Sequence, residues 1–237
     1  RGLARKQKGN LEDAIADYTQ AINLNPNDAE AYSNRGLARA DQGDLEDAIA
    51  DYDQAIQLNP NDAEAYSDRG LIRGSKGDLN GAITDYNQAI KLNPNFAIAY
   101  YNRGNVRYEQ GDVKGAIADY DQAIKLNLNF VQAYFNRGNV RKDQGDLDGA
   151  IADYTQAIDL NSNFAEAYFN RGSALHQQRD LDGAIADLTQ AIKLNPNYAE
   201  AYISRGASLY HQGYLKGAIT DLTQAIKLNP NYAEAYI

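Results

Sequence analysis

The sequence predicts an all-α solenoid of stacked antiparallel helix pairs, and three observations carry that prediction. A 34-residue unit, typified by residues 29–62, recurs along the whole chain of 237 residues. Arg35 returns at that spacing as Arg1, Arg69, Arg103, Arg137, Arg171 and Arg205, each followed by glycine. Each unit holds two stretches with apolar residues three and four apart, split by a glycine-centred turn and closed by an asparagine-rich one. Such units cannot bury their apolar faces alone and must stack. The units are 1–28 (partial), 29–62, 63–96, 97–130, 131–164, 165–198 and 199–232, with 233–237 opening a further helix. They tile without a linker, so the chain reads as one quasi-linear domain of about seven repeats.

In the unit 29–62, helix A runs from Ala29 to about Gln42, with Ala31, Tyr32, Gly36 and Ala40 along one face. Asn27 and Glu30 are a plausible capping pair at its start, as are Asn61 with Glu64, Asn163 with Glu166, and Asn197 with Glu200. Gly43-Asp44 makes the turn: the glycine accepts a left-handed backbone and the aspartate caps helix B. Helix B runs from Leu45 to about Leu58 and carries Leu45, Ala48, Ile49, Tyr52, Ala55 and Ile56 as one buried stripe. Asn59-Pro60-Asn61 ends it, because proline restricts the residue before it and cannot continue a helix.

Gly36, Ala48 and Ala55 have glycine or alanine equivalents throughout. A mid-helix glycine costs about 1 kcal/mol against alanine, so its recurrence implies that helix B crosses too close for a Cβ. Three departures stand out. Leu128 and Ser162 replace the proline of the other junctions, which should be less rigid there, and Arg179 replaces the turn glycine. If that turn stays left-handed, the arginine costs about 1 kcal/mol.

Two ladders of charge share the period. Against the arginines stand Asp51, Asp85, Asp119, Asp153, Asp187 and Asp221, with Asp17 in the partial unit. The expectation is that each arginine buries its stem and reaches an Asp51-type carboxylate, within a repeat or across to the next, which orients packing more than it adds stability. An anion-binding arginine stripe is the functional alternative. A second arginine, at Arg5, Arg39, Arg73, Arg107 and Arg141, occurs where helix B has Tyr18, Tyr52, Tyr86, Tyr120 and Tyr154. The last two units change both sites together, to Leu175 with Leu188 and Leu209 with Leu222, which reads as direct contact between the two positions.

At Tyr32, Gly36, Ala48, Tyr52, Ala55 and Pro60 the chain resembles a tetratricopeptide repeat (TPR) protein, over all 237 residues. It departs from the usual pattern at Arg35 and Arg39, and resembles the bacterial, cyanobacterial-like subclass with Asn-Arg-Gly in helix A. The resemblance implies a right-handed superhelix with helix A lining a concave groove, and binding of peptide segments or partner proteins.

It also places the groove on helix-A residues facing away from helix B. Those positions vary along the chain and gain aromatics from Tyr101 onward. The peptide-groove candidates are Asn34, Tyr101, Asn102, Asn105, Tyr108, Phe135, Asn136, Asn139, Phe169, Asn170, His176, Tyr210 and His211. Aromatics without an internal packing duty are good interface anchors, and asparagine can read the backbone of an extended peptide. Asn105 with Asn136, and Asn139 with Asn170, resemble the asparagine pairs that hold peptides in such repeats. Closure of gaps between adjacent A helices is the competing role for the aromatics. The lysines of chaperone-tail receptors are absent, with Tyr101 and Phe135 in their place.

A net charge of −9 argues against nucleic acid as the partner. Zero cysteines and two histidines, His176 and His211, leave no metal site and no cofactor in the expectation. No apolar run of transmembrane length, signal peptide, Ser-His-Asp set, phosphate loop or HExxH occurs, so neither membrane insertion nor catalysis is expected. A cytoplasmic location is favoured, although the missing initiator methionine suggests a fragment. The leading expectation is a non-enzymatic scaffold that binds a protein or peptide. The alternatives are head-to-tail self-association through the solenoid ends, and the substrate-recognition arm of a larger enzyme.

Overall fold

The computed structural model describes residues 2–7 and 9–236, which form helices and loops and no strand. The chain divides into two compact units, residues 1–126 and 127–237. The first holds α1 (Gly2–Gln7), α2 (Leu11–Leu24), α3 (Ala29–Gln42), α4 (Leu45–Leu58), α5 (Ala63–Ser75), α6 (Leu79–Leu92), α7 (Ala97–Glu109) and α8 (Val113–Leu126). The second holds α9 (Val131–Asp143), α10 (Leu147–Leu160), α11 (Ala165–Gln177), α12 (Leu181–Leu194), α13 (Ala199–His211) and α14 (Leu215–Leu228). Within each unit a helix packs chiefly on its neighbours in sequence, while α3 also touches α5 and α11 also touches α13. That is the packing of a solenoid built from helix pairs. Residues 233–236 form a 3-10 turn rather than the opening of an α-helix, because so short a stretch offers too few i→i+4 donors.

Helix B supplies the core. Tyr52, Tyr86, Tyr120, Tyr154 and Leu188 are the large side chains buried almost completely, each flanked by alanines at 0–1% exposure. The recurring helix-A glycine exists for this residue. A Cβ on Gly36 would lie 3.1 Å from the Tyr52 ring and 3.2 Å from the Ala48 carbonyl oxygen, and one on Gly172 would lie 3.0 Å from Leu188 Cγ.

The turns correct the capping expectation. Asn61 does not cap α5; its N–H donates to Asn59 Oδ1 at 3.3 Å, and Asp62 caps the helix instead, accepting from Glu64 N and Ala65 N. Asn27 likewise donates to Asn25 Oδ1 at 3.3 Å, and Asp28 caps α3. The asparagine turn consumes a residue, so the helix starts one position later. In α11 and α13 the cap position holds Phe164 and Tyr198, which make no side-chain cap bond. The same asparagine turn forms where proline is missing: Asn129 N and Asn163 N reach Asn127 Oδ1 and Asn161 Oδ1 at 3.1 Å. At the A–B turns, Asp78, Asp112, Asp146 and Asp180 accept from a glycine N–H in the first turn of helix B, whereas Asp44 makes no such bond. Arg179 keeps the left-handed geometry of the glycines it replaces, with φ 68° against 79–95° at Gly43, Gly77, Gly111 and Gly145.

Candidate functional site

The helix-A surface has a layer that faces helix B and a layer that does not. In the first, Arg35 Nε and Nη2 donate to Asp51 Oδ2 and Oδ1 at 3.0 and 2.6 Å, a bidentate pair within one repeat. The fork geometry of guanidinium and carboxylate favours this arrangement. Arg69–Asp85, Arg103–Asp119, Arg137–Asp153, Arg171–Asp187 and Arg205–Asp221 repeat it. The third guanidinium nitrogen reaches back to the preceding helix B, from Arg35 to Thr19 Oγ1 at 3.2 Å and from Arg171 to Thr155 Oγ1 at 3.0 Å. Each of these arginines also lies over the tyrosine three residues before it, 5.4–5.7 Å from the ring centre. Hydrogen bonding to Asp187 raises the Arg171 pKa above the ordinary arginine value in spite of burial. Arg1, the ladder's first member in sequence, lies outside the described residues.

The second arginine does not meet the helix-B tyrosine through its charge, contrary to the pairing that the sequence suggests. Arg39 Nη1 donates to Asp51 Oδ2 at 2.7 Å, and Arg73, Arg107 and Arg141 donate to the equivalent aspartates at 2.9–3.0 Å. The Tyr52, Tyr120 and Tyr154 hydroxyls donate to Asp68, Asn105 and Asn139 instead. Where leucine replaces arginine, Leu175 packs into the cluster around Leu188, and Asp187 keeps one arginine instead of two. Among the described residues the ladder guanidiniums from Arg35 to Arg205 are all bonded to carboxylates.

On the other layer the candidate aromatics do have packing duties. Tyr101 lies 6.0 Å from Tyr120 between ring centres, and Phe135 lies 5.9 Å from Tyr154 and 4.6 Å from Phe164, in the loop before the next repeat. Phe169 meets Tyr198 at 4.8 Å. In the second unit the loop before the following A helix carries an aromatic at this register, Phe164 or Tyr198, which lies against the helix-A ring. Tyr108 and Tyr210 are the exposed ones, at 37% and 61%.

The asparagines form a connected polar line in the second unit. Tyr154 OH donates to Asn139 Oδ1 at 2.8 Å, Asn170 Nδ2 donates to the same oxygen at 3.0 Å, and Lys142 Nζ reaches Asn170 Oδ1 at 3.3 Å. Asn139 and Asn170 are therefore brought together across adjacent repeats. Asn139 Nδ2 keeps its donors, a pattern that suits a peptide carbonyl. In the first unit Tyr120 OH donates to Asn105 Oδ1 at 2.8 Å. Asn34 and Asn102 are half-buried, as is Asn136, which stands in the other unit from Asn105.

His176 and His211 lie 5.4 Å apart between ring centres, and Tyr210 sits 5.7 Å from His211. His176 Nδ1 is 2.8 Å from Ser208 Oγ, which is placed 2.9 Å from the Ser204 carbonyl. Burial, His211 and Arg179 together hold the His176 pKa below the ordinary histidine value. Ser208 was absent from the sequence candidates although its register gave it away: Ala38, Ile72, Val106, Val140 and Ala174 occupy that buried position elsewhere. Among the described residues no group of three or more metal-ligating side chains occurs. No described helix is long and apolar enough to cross a membrane.

Comparisons with known proteins agree with this architecture. A TPR-repeat family model matches residues 2–43, 36–77, 72–111, 104–145, 138–179 and 172–213, and a tetratricopeptide-repeat model matches 199–232. Neither describes a catalytic domain. Comparison with curated protein sequences gives no match. Among solved structures, YrrB, a TPR protein with an unusual peptide-binding site, is 25% identical, with a TM-score of 0.70 over 78% of this chain and 95% of that one. The C-terminal part of a TPR repeat-containing protein from Cytophaga hutchinsonii is 16% identical, with a TM-score of 0.80 over 99% and 96%. Pseudomonas aeruginosa PilF is 18% identical, with a TM-score of 0.77 over 88% and 95%. The chain belongs to the tetratricopeptide repeat family, whose fold typically serves protein–protein interaction.

Proposed function

We propose that the chain is a non-enzymatic interaction scaffold that holds an extended peptide or a partner's extended segment along the helix-A face. The observation that carries this reading is the Asn139–Asn170 pair, joined at 3.0 Å across adjacent repeats, with exposed Tyr210 and His211 further along the same face. Asparagine amides spaced along such a face bond a peptide backbone without specifying its side chains, and an exposed tyrosine adds an amphipathic anchor. YrrB, with its peptide-binding site, supports the same direction. The Asn-Arg-Gly signature accords with the bacterial subclass.

The test is a random-peptide array probed with the wild-type chain and with Asn170→Ala and Tyr210→Ala. Peptides that the wild type retains should be lost or weakened in both variants while thermal unfolding changes little. Unchanged binding in both variants would sink the proposal.

A further inference from the structure

In the second unit the clefts between neighbouring A helices are closed by aromatic pairs, Phe135 on Phe164 and Phe169 on Tyr198. Between α3 and α5 the same two register positions hold Ser33 and Asp62. There the cleft stays open, with a volume of about 460 Å³. Its wall includes Glu30, Asp62, Glu64 and Asp68 and no lysine or arginine. None of the four makes an ion pair among the described residues.

Two side chains in this wall lack the partner their chemistry calls for. Ser33 Oγ is buried and makes no hydrogen bond. Asp68 accepts from Tyr52 OH at 3.2 Å and forms no ion pair among the described residues; burial lifts its pKa above the usual aspartate value, with Glu64 and Asp62 adding to the rise and the Tyr52 bond and Lys6 opposing it. At this register Asn34, Asn102, Asn136 and Asn170 stand elsewhere, so a neutral residue serves the fold. An asparagine would accept the Tyr52 hydroxyl as well, so it is the charge of Asp68, and not its hydrogen bond, that the fold does not call for. A second cavity of about 240 Å³ shares Leu37, Tyr52 and Asp68 with the first, and Leu37 and Leu71, 36% and 55% exposed, form its apolar rim.

We propose that this cleft receives a lysine or arginine side chain of the bound peptide, its charge compensated by Asp68 and the surrounding carboxylates, with a neighbouring apolar residue on Leu37 and Leu71. A long basic side chain fits such a place, since its methylene stem lies on apolar surface while its head meets charge. A bare metal ion does not fit: the volume far exceeds one ion, and no described cluster has ligand geometry. Complementary charge in a partly dry cleft fixes register and excludes wrong partners more than it adds affinity.

This inference rests on the peptide-binding reading above. The experiment is selection of a random peptide library on the full chain, beside the double variant Asp68→Asn/Glu64→Gln. Lysine and arginine should be enriched among peptides bound by the wild type and not among those bound by the variant. Replacing the selected lysine by norleucine in one such peptide should weaken binding at least about tenfold. The variant should unfold no earlier than the wild type, so a loss of selection cannot be assigned to misfolding. Bound peptides with no basic preference, or the same preference in the variant, would overturn the inference while leaving the peptide-binding reading intact. If the library yields no bound peptide at all, both fail.

Discussion

Replacing Asp187 by alanine is the sharpest probe of the charged ladder. This carboxylate is 7% exposed and takes Arg171 Nε and Nη2 at 2.7 and 2.8 Å, with Leu175 where earlier repeats place a second bonded arginine. Removing it leaves a guanidinium, itself largely covered, with only its third nitrogen bonded, to Thr155. Stranding one member of a buried pair costs about 3–5 kcal/mol. Replacing both members by leucine, Arg171→Leu with Asp187→Leu, removes the desolvation penalty of both charges and should change stability by less than about 1 kcal/mol, or raise it. Urea unfolding followed by circular dichroism, which avoids screening the charges, reads the global midpoint. Amide exchange in α11 and α12 reads the local loss, because a repeat array can open in segments. If the double variant loses as much as the single, the pair contributes net stability and its role as an orienting device is wrong. A loss below about 1 kcal/mol in the single variant would mean that Asp187 is effectively solvated.

Other outcomes follow from single positions. Arg179→Gly should stabilise the chain by about 1 kcal/mol, since the φ of 68° suits glycine; an unchanged urea midpoint would contradict this. Asp68→Asn should raise stability at neutral pH. Its folded pKa is raised, so the stability that the protonated carboxyl contributes is present below its unfolded pKa and lost as pH rises through the folded one. A pH titration of unfolding should show that loss in the wild type and not in the variant. An identical pH profile in the two would refute it.

Period, composition and small-residue register made the helix pairs legible from sequence, down to the bounds Ala29–Gln42 and Leu45–Leu58. The cap was misplaced because Asn25 and Asn59 spend their side chains on the turn, which a residue count cannot reveal. The Arg39–Tyr52 co-variation was visible, but the partner was not: Arg39 donates to Asp51 and Tyr52 to Asp68, while the replacing Leu175 packs against the cluster that holds Leu188. Of the two roles the sequence left open to the aromatics, Phe135 and Phe169 take at least the gap-closing one. Phe135 meets both Tyr154 of its own helix B and Phe164 in the loop that leads into the next repeat. The open cleft lay in the same register, where Ser33 faces Asp62, but only the aromatic closures elsewhere give that absence meaning.

The central claim is a division of labour, with helix B and the arginine–aspartate pairs holding the array and the opposite helix-A face meeting the partner. The most direct test is amide chemical-shift mapping of the full chain with a peptide selected from the random library. The account predicts perturbations confined to the helix-A segments, Asn139, Asn170 and Tyr210 among them, with the Asp153, Asp187 and Asp221 amides unmoved. Shifts concentrated along α10, α12 and α14 would contradict it.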